Sequence, residues 1–445
     1  MLCVASVLGV IGAQANAQQQ TVCPLDPAVT ANADHPETQA IQSTLDRCAA
    51  AGGGVVSLSD GVYLSGPLAL RSGVTLHLSR GAILRASNVE GQFQAAFIGT
   101  PSHAGEAFIL ANHVKDVAID GEGTIDGSGA QLWWSEARRM HDDIRSGKTD
   151  VFTRRFPNVP LENGLPRPWL VEFNDVSNGK VGAVTLTNSP MWNLVLKQSK
   201  QVLVKGTTIV NPADSRNTDG VDIVSSQAVT LSGVDISTGD DDVAIKSGLP
   251  KYASSSGPCS DITVQDSTIR AGHGLSIGSE TANDISNISF KNIHFLGTEN
   301  GVRIKSARDR GSRINGIHIA SITMRDVSTP IIIDDEYGGQ AGTSHSGSKI
   351  AAIPFAAVTS TTPFIDDIHI DDLKADGAKT AAVIFGLPEA PIRRLHVSNT
   401  EIQSVQGMKI AYVHDSAFEH VHIASATPPV EEGPEVRNVA FDDAK

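Results

Sequence analysis

Basic charge is in short supply along this chain. Lys and Arg number 35 against 49 Asp and Glu, for a formal net charge of −14. A surface of that sign excludes a general binder of polyanions, so nucleic acid is not an expected partner; an acidic polymer can still bind wherever a local cleft is positive. Cysteine is scarce too: four residues in 445, none at the spacing of a metal cage, so no metal or cofactor is expected. Long apolar runs are missing. Leu2 to Ala13 is mostly apolar but too short to cross a bilayer, and no later stretch is long enough, so no membrane partner is expected. Aromatic residues make up 5% of a chain with 41 glycines. For one compact core 445 residues is long, but it is ordinary for a solenoid.

The short apolar run has another reading. Ala15-Asn16-Ala17 follows it as a small-x-small site before Gln18, which marks residues 1–17 as a signal peptide and 18–445 as a single β-helix domain, secreted or periplasmic. The usual basic flank is missing, which bears on the true translation start. Removing the segment takes away Cys3; Cys23 and Cys48 can then pair in an oxidising compartment, leaving Cys259 odd. A monomer is expected.

Between Thr218 and Ala307 one short pattern recurs four times, as TDGVDIVSS, DDDVAIKSG, GHGLSIGSE and ENGVRIKSA, starting at 218, 240, 272 and 299. Val221, Val243, Leu275 and Val302 form one apolar column and Ile223, Ile245, Ile277 and Ile304 a second. Alternation with period two marks strands, and recurrence at roughly 22 to 32 residues marks a solenoid of stacked coils, here an all-β parallel β-helix. Further strands are expected near Val74, Val117, Val184, Val202, Val229, Ile262, Ile288, Ile317, Ile368, Leu395 and Val421. The one convincing helix runs from Glu37 to Ala50, with Ile41, Leu45 and Cys48 at helical spacing, and supplies a cap for the solenoid end.

Two residues before the first apolar column the stack reads Asp219, Asp241, His273, Asn300, with Asp240 beside it. Like charges about 4.8 Å apart repel by roughly 3.5 kcal/mol at an effective dielectric near 20, or about 2.5 pKa units. One carboxyl should keep its proton while another stays ionised, the division of labour that acid/base cleavage of a glycosidic bond requires. Arg303 and Lys305 flank Ile304 on one strand and point outward together, where they can grip a carboxylated ring; Lys246 extends the same positive strip. Glycines flank His273 on both sides, which leaves room for a ligand. His318 and His369, in Ile-His-Ile contexts, read as outward strand residues without a role.

Two interruptions break the repeat. The first, Gln131 to Arg167, carries Trp133, Trp134, Arg138, Arg139, Arg154 and Arg155, and reads equally as a cleft wall or as packing under a loop. The second, Asp335 to Phe364, is rich in Gly, Ser, Ala and Thr and reads as a mobile loop.

Four short motifs, in order and each at the same point of a coil, resemble glycoside hydrolase family 28, the polygalacturonases: Asn217-Thr218-Asp219-Gly220, Gly239-Asp240-Asp241, Gly272-His273-Gly274 and Arg303-Ile304-Lys305. The resemblance extends from about Ala49 to the last coils. It implies a right-handed parallel β-helix that hydrolyses α-1,4-linked galacturonan of pectin with inversion. Asp240 then corresponds to the general acid, Asp219 and Asp241 to the pair that activates water, and His273 to a residue supporting the acid and the sugar. Arg303, Lys305, Asn217 and Tyr337 match sugar-binding positions. Asp242 departs from the pattern and is expected to be non-catalytic. Endo action is favoured. Other readings are exo action, a rhamnogalacturonan or xylogalacturonan hydrolase, a pectate lyase with calcium on Asp240 to Asp242, and a non-catalytic carbohydrate-binding β-helix.

Overall fold

The structure is a computed structural model that describes residues 21–89, 91–157, 159, 161, 164–337 and 352–442. The expected signal peptide and the centre of the second interruption lie outside the described residues. Among the described residues twenty-nine strands join in parallel pairings. They wind as a right-handed parallel β-helix. Its interior is a set of aliphatic ladders: Val202, Val229, Ile262, Ile288, Ile317, Ile368 and Leu395 pair rung to rung and are buried. β-branched side chains suit these ladders because they pack on a pleated surface with little rotamer freedom to lose.

The residue just before each member of that ladder, and before the equivalent positions Val117, Gly179, Ser416 and Val439 on flanking coils, turns the chain. Asp116, Asn178, Gln201, Ala228, Asp261, Asn287, Gly316, Asp367, Arg394, Asp415 and Asn438 occupy one corner on successive coils, with φ between 50° and 67°. Asn and Asp recur there because their short polar side chains tolerate the left-handed region and bond locally. Asn178 Nδ2 donates to Asp116 Oδ1 at 2.6 Å, and Asn438 Nδ2 to Asp415 Oδ1 at 2.8 Å.

A helix over Thr38–Ala50 caps the N-terminal end, burying Ile41, Leu45 and Cys48. Cys48 is disulfide-bonded to Cys23, with Cα atoms 5.5 Å apart, and Cys259 is a buried free thiol. His318, His369 and His396 stack outward along one face, ring centroids 5.1 and 5.0 Å apart. The first interruption holds helices that the sequence reading did not expect, over Gly129–Leu132, Trp134–Arg145 and Asp150–Arg155. Their own small core of Ala137, Met140, Phe152 and Leu165 explains why periodicity along the β-coils did not reveal them. Trp133 packs against that core, Trp134 Nε1 donates to Ser189 O at 2.9 Å, and Arg138 pairs with Asp214, so packing is the reading that holds for this tryptophan pair.

One ladder forms the floor of the site. It runs through Ala107–Asn112, Trp169–Asn174, Leu194–Lys197, Val221–Val224, Val243–Lys246, Leu275–Gly278, Asn300–Lys305 and Thr329–Asp334.

Candidate active site

The two predicted apolar columns pair directly, Val221 to Val243 to Leu275 to Val302 and Ile223 to Ile245 to Ile277 to Ile304. Two positions upstream, Asp219, Asp241, His273 and Asn300 occur on consecutive rungs. Close stacking there depends on Gly220, where a Cβ would lie 2.3 Å from the carbonyl oxygen of Asp242. Asn217, Asp219, Asp240, Asp241, Lys246, Lys305 and Tyr337 line one cleft, and His273 and Arg303 join it through Asp240 and Asp241. All nine predicted site residues therefore converge.

Their partners differ from expectation in several places. Asp241 is buried and gripped by both cations meant for the sugar: Lys305 Nζ lies 2.7 Å from Oδ2 and Arg303 Nη2 bonds Oδ1. Ser276 Oγ donates to Oδ1 at 2.9 Å. Burial pushes the Asp241 carboxyl up, but Lys305 and Arg303 outweigh it and hold it far below the usual carboxylate range. Lys246 does not extend a free positive strip. Its Nζ sits 3.0 Å from Glu280, 3.6 Å from Asp222 and 4.8 Å above the Trp192 ring. Burial works against the Lys246 charge, and Glu280 and Asp222 more than restore it.

Asp240 Oδ1 meets His273 Nδ1 at 3.2 Å, and His273 Nε2 meets Glu299 at 3.2 Å. Burial raises Asp240, but the bond and charge of His273 outweigh it and the net shift is downward; His273 is raised in return despite its own burial. Asp219 behaves oppositely. Burial, then the charges of Asp240 and Asp222, push it well above the ordinary value, and its Oδ1 has no hydrogen-bond partner among the described residues. The expected split of protonation states is present, but in the free protein the proton favours Asp219 and His273 rather than Asp240.

Asp242 turns away from the cleft. Its Oδ2 accepts from the Gly274 amide at 2.9 Å, its Oδ1 lies 3.0 Å from Thr238 Oγ1, and burial raises its pKa well above the usual range. The raised proton affinity of Asp242 reduces the negative potential that a third acid would bring. The glycines around His273 make no room for a ligand. A Cβ on Gly272 would meet Thr238 and Asp242, and one on Gly274 would lie 2.2 Å from Asn300 O; both residues have positive φ.

Sequence reasoning missed the support behind Asn217. Arg167, 1% exposed, donates to Leu165 O, Pro190 O, Arg216 O and Asn217 Oδ1 at 2.8 to 3.2 Å, and burial lowers its pKa to about 10. It fixes Asn217, at φ 55°, two residues before Asp219. Nothing in its Pro166-Arg167-Pro168 context signals this. Asp222 and Glu280 lie within the four repeats, and the outward position of Asp222 was a signal that could have been read. Tyr337 stacks its ring 5.1 Å from Lys305 Nζ.

Ligand atoms of Asp240, Asp241 and His273 lie within 4.8 Å of one another, close enough to share a cation. They fit one poorly, since Asp241 already faces a guanidinium and an ammonium, and Asp240 is bonded to His273.

Buried carboxylates of opposed proton affinity, open to a cleft on a parallel β-helix, suit acid/base cleavage of glycosidic bonds. The family model described as Glycosyl hydrolases family 28 matches residues 58–383, and the chain belongs to that family: it is a glycoside hydrolase. An endo-polygalacturonase of Pectobacterium carotovorum subsp. carotovorum is 34% identical over 340 residues, 73% of this chain and 78% of that protein. The solved structure of a polygalacturonase from Erwinia carotovora ssp. carotovora aligns with TM-score 0.70 at 29% identity, covering 89% of this chain and 96% of that one. A family 28 exopolygalacturonase of Yersinia enterocolitica aligns with TM-score 0.76 over 94% of this chain and 77% of the other, and at 23% identity is similar in fold.

Proposed function

We propose that this protein is a polygalacturonase that hydrolyses α-1,4-galacturonosyl linkages of pectic galacturonan with inversion. The observation that carries the reading is the Asp241 cluster, where a carboxylate, a guanidinium and an ammonium meet beside Asp219 and Asp240. A galacturonate carboxylate entering there finds Lys305 and Arg303 already oriented. Lysine acts as a point charge and arginine as a planar fork. Asp240 protonates the leaving oxygen, drawing on the proton held with His273. Water is held between Asp219 and Asp241 and attacks from the opposite face. In the reactive form Asp219 is ionised while the Asp240–His273 pair keeps one proton, so Asp219, the more basic of the two, takes the water's proton as Asp240 gives its own to the leaving oxygen. Asn217 and Tyr337 position the sugar, and Lys246 lines the cleft wall from within its ion pairs with Glu280 and Asp222. The polymer is the only partner proposed, with no nucleic acid, membrane or second subunit required.

Residues 18–445 act as one catalytic unit in this reading. The Cys23–Cys48 disulfide supports a secreted or periplasmic location, because such bonds persist in oxidising compartments.

The test is release of reducing ends from polygalacturonic acid, with proton NMR of the first product. Expected are the anomer opposite to the substrate linkage, an unchanged rate in chelator, and poor turnover of fully methyl-esterified polymer. Unsaturated, ultraviolet-absorbing products lost on chelation would establish a lyase. Equal turnover of esterified and free polymer would remove the role of Arg303 and Lys305.

A further inference from the structure

Residues that face outward from a β-helix floor normally meet solvent or ligand. On this floor they do not, either on the acids' own rungs (Asp222, Ala244 and Ser276, 0% exposed) or on the rungs N-terminal to them (Glu172 and Val195 0%, Trp169 1%, Lys197 3%). Among the described residues, only on the N-terminal side does a separate segment lie across them. The cover is a strap between the strands Ala82–Ala86 and Ala107–Asn112. Gln94 N bonds Gly105 O at 2.8 Å to close the strap on itself, and Ala96 N bonds Arg167 O at 3.0 Å. Lys197 Nζ donates to Thr100 O at 2.8 Å, and Ser102 Oγ to the buried Glu172 at 2.6 Å. Ala96 and Ile98 pack on Trp169, Trp192 and Val195, and Phe97 meets Tyr252 of a second loop edge-on with ring centroids 5.3 Å apart.

The strap therefore crosses the line that a polymer would follow along the floor. Asp219 is one rung from Trp192, which stacks on Trp169 at 5.3 Å, and beyond Trp169 the floor is sealed. Trp192 and Trp169 still line the cleft together with Ala96, Phe97 and Ile98. With rungs about 4.8 Å apart the Trp169 rung lies roughly 10 Å from Asp219, so this side of the acids has room for at most about one or two sugar units.

We propose that the strap, with its Phe97–Tyr252 contact, is a specificity-determining stop that admits galacturonan only by a chain end, so that the enzyme releases mono- or digalacturonate. This replaces the expectation of endo action and rests on the galacturonan reading above. The bond broken is the same glycosidic bond, with water as co-reactant; only its position along the polymer is chosen by the stop.

Timed chromatography of products from polygalacturonic acid tests it, using the full chain and the double variant F97A/Y252A, whose folding is checked by its melting curve. Wild type should yield monomer or dimer from the first time point, with viscosity falling slowly relative to reducing ends, and the variant should add longer oligomers. A ladder of oligomers from wild type would overturn the proposal. So would a folded variant that still makes only the short product, because the stop would then lie elsewhere. Absence of any reducing ends from galacturonan is a different outcome, and it removes the substrate reading itself.

Discussion

Asp240 and His273 titrate as one unit, because a proton between Oδ1 and Nδ1 at 3.2 Å belongs to the pair. In the free enzyme it resides on the imidazole, whose pKa is raised. The alkaline limb of kcat/KM should therefore lie above the ordinary histidine value of about 6.5. His273→Gln leaves a carboxyl as the last proton holder, so the limb should move to lower pH; an unmoved limb would take His273 out of the proton path. Asp240→Asn removes the donor without changing size and should lower kcat by about 10²- to 10⁴-fold with the melting temperature preserved. Asp242→Asn should do neither. Thr238 has one hydroxyl proton and two acceptors within reach, Asp240 O at 2.8 Å and Asp242 Oδ1 at 3.0 Å. A protonated Asp242 resolves the excess by donating to Thr238, and an asparagine NH₂ can donate there in its place. Near-wild-type kinetics and melting are expected for D242N; an activity loss comparable to that of D240N would place Asp242 in the chemistry. Asp219, Asp240, Asp241 and His273 were legible because spacing and residue type sufficed. Their proton affinities were not, since these depend on burial and on Lys246, Arg303 and Lys305 approaching from other positions and rungs.

Elements outside the repeat carry much of the site's support. The segment Leu165 to Trp169 brings Arg167 beneath the turn that holds Asn217, where its guanidinium satisfies three carbonyl oxygens and one side-chain amide. Arg167→Met leaves those acceptors without their donor at about 1 to 3 kcal/mol for each group that stays buried and unpaired. Both a lower melting temperature and a lower kcat are expected, whereas a fully active and equally stable variant would show that the turn supports itself. The capping helix was legible from Ile41, Leu45 and Cys48 to within one residue at its start. Its disulfide spans 25 residues, and the chain-entropy relation gives such a loop about 3 to 4 kcal/mol. Reduction should lower the thermal midpoint. An unchanged midpoint would mean that packing alone holds the cap. The helices of the first interruption were illegible because they are short and pack on one another, and the strap because no pattern in residues 87–106 shows what it covers.

Across the whole molecule the ionisable interior sets a preferred pH. Burial and neighbouring acids raise Asp219, Asp222, Asp242, Asp335 and Glu172. Such groups stabilise the fold fully below the ordinary carboxylate value of about 4, and that stability is lost as pH rises through their folded values. Asp240, Asp241 and Glu280 are lowered, so their contribution is present above about pH 4 and is lost on acidification. The two sets together favour mild acid. The melting temperature should be higher near pH 5 than near pH 8, and a midpoint that rises steadily towards pH 8 would contradict the raised set. The solenoid itself was legible from few residues because each coil repeats the same burial problem. The corner column adds a consequence for tolerance to insertion. Since every coil turns at the same left-handed position whatever the length of its excursion, registration is renewed once per circuit and phase error cannot accumulate along the axis. Loop segments can therefore lengthen or shorten independently, as the helical insertion before Trp169 does, while the catalytic rungs keep their alignment like teeth indexed on a common shaft.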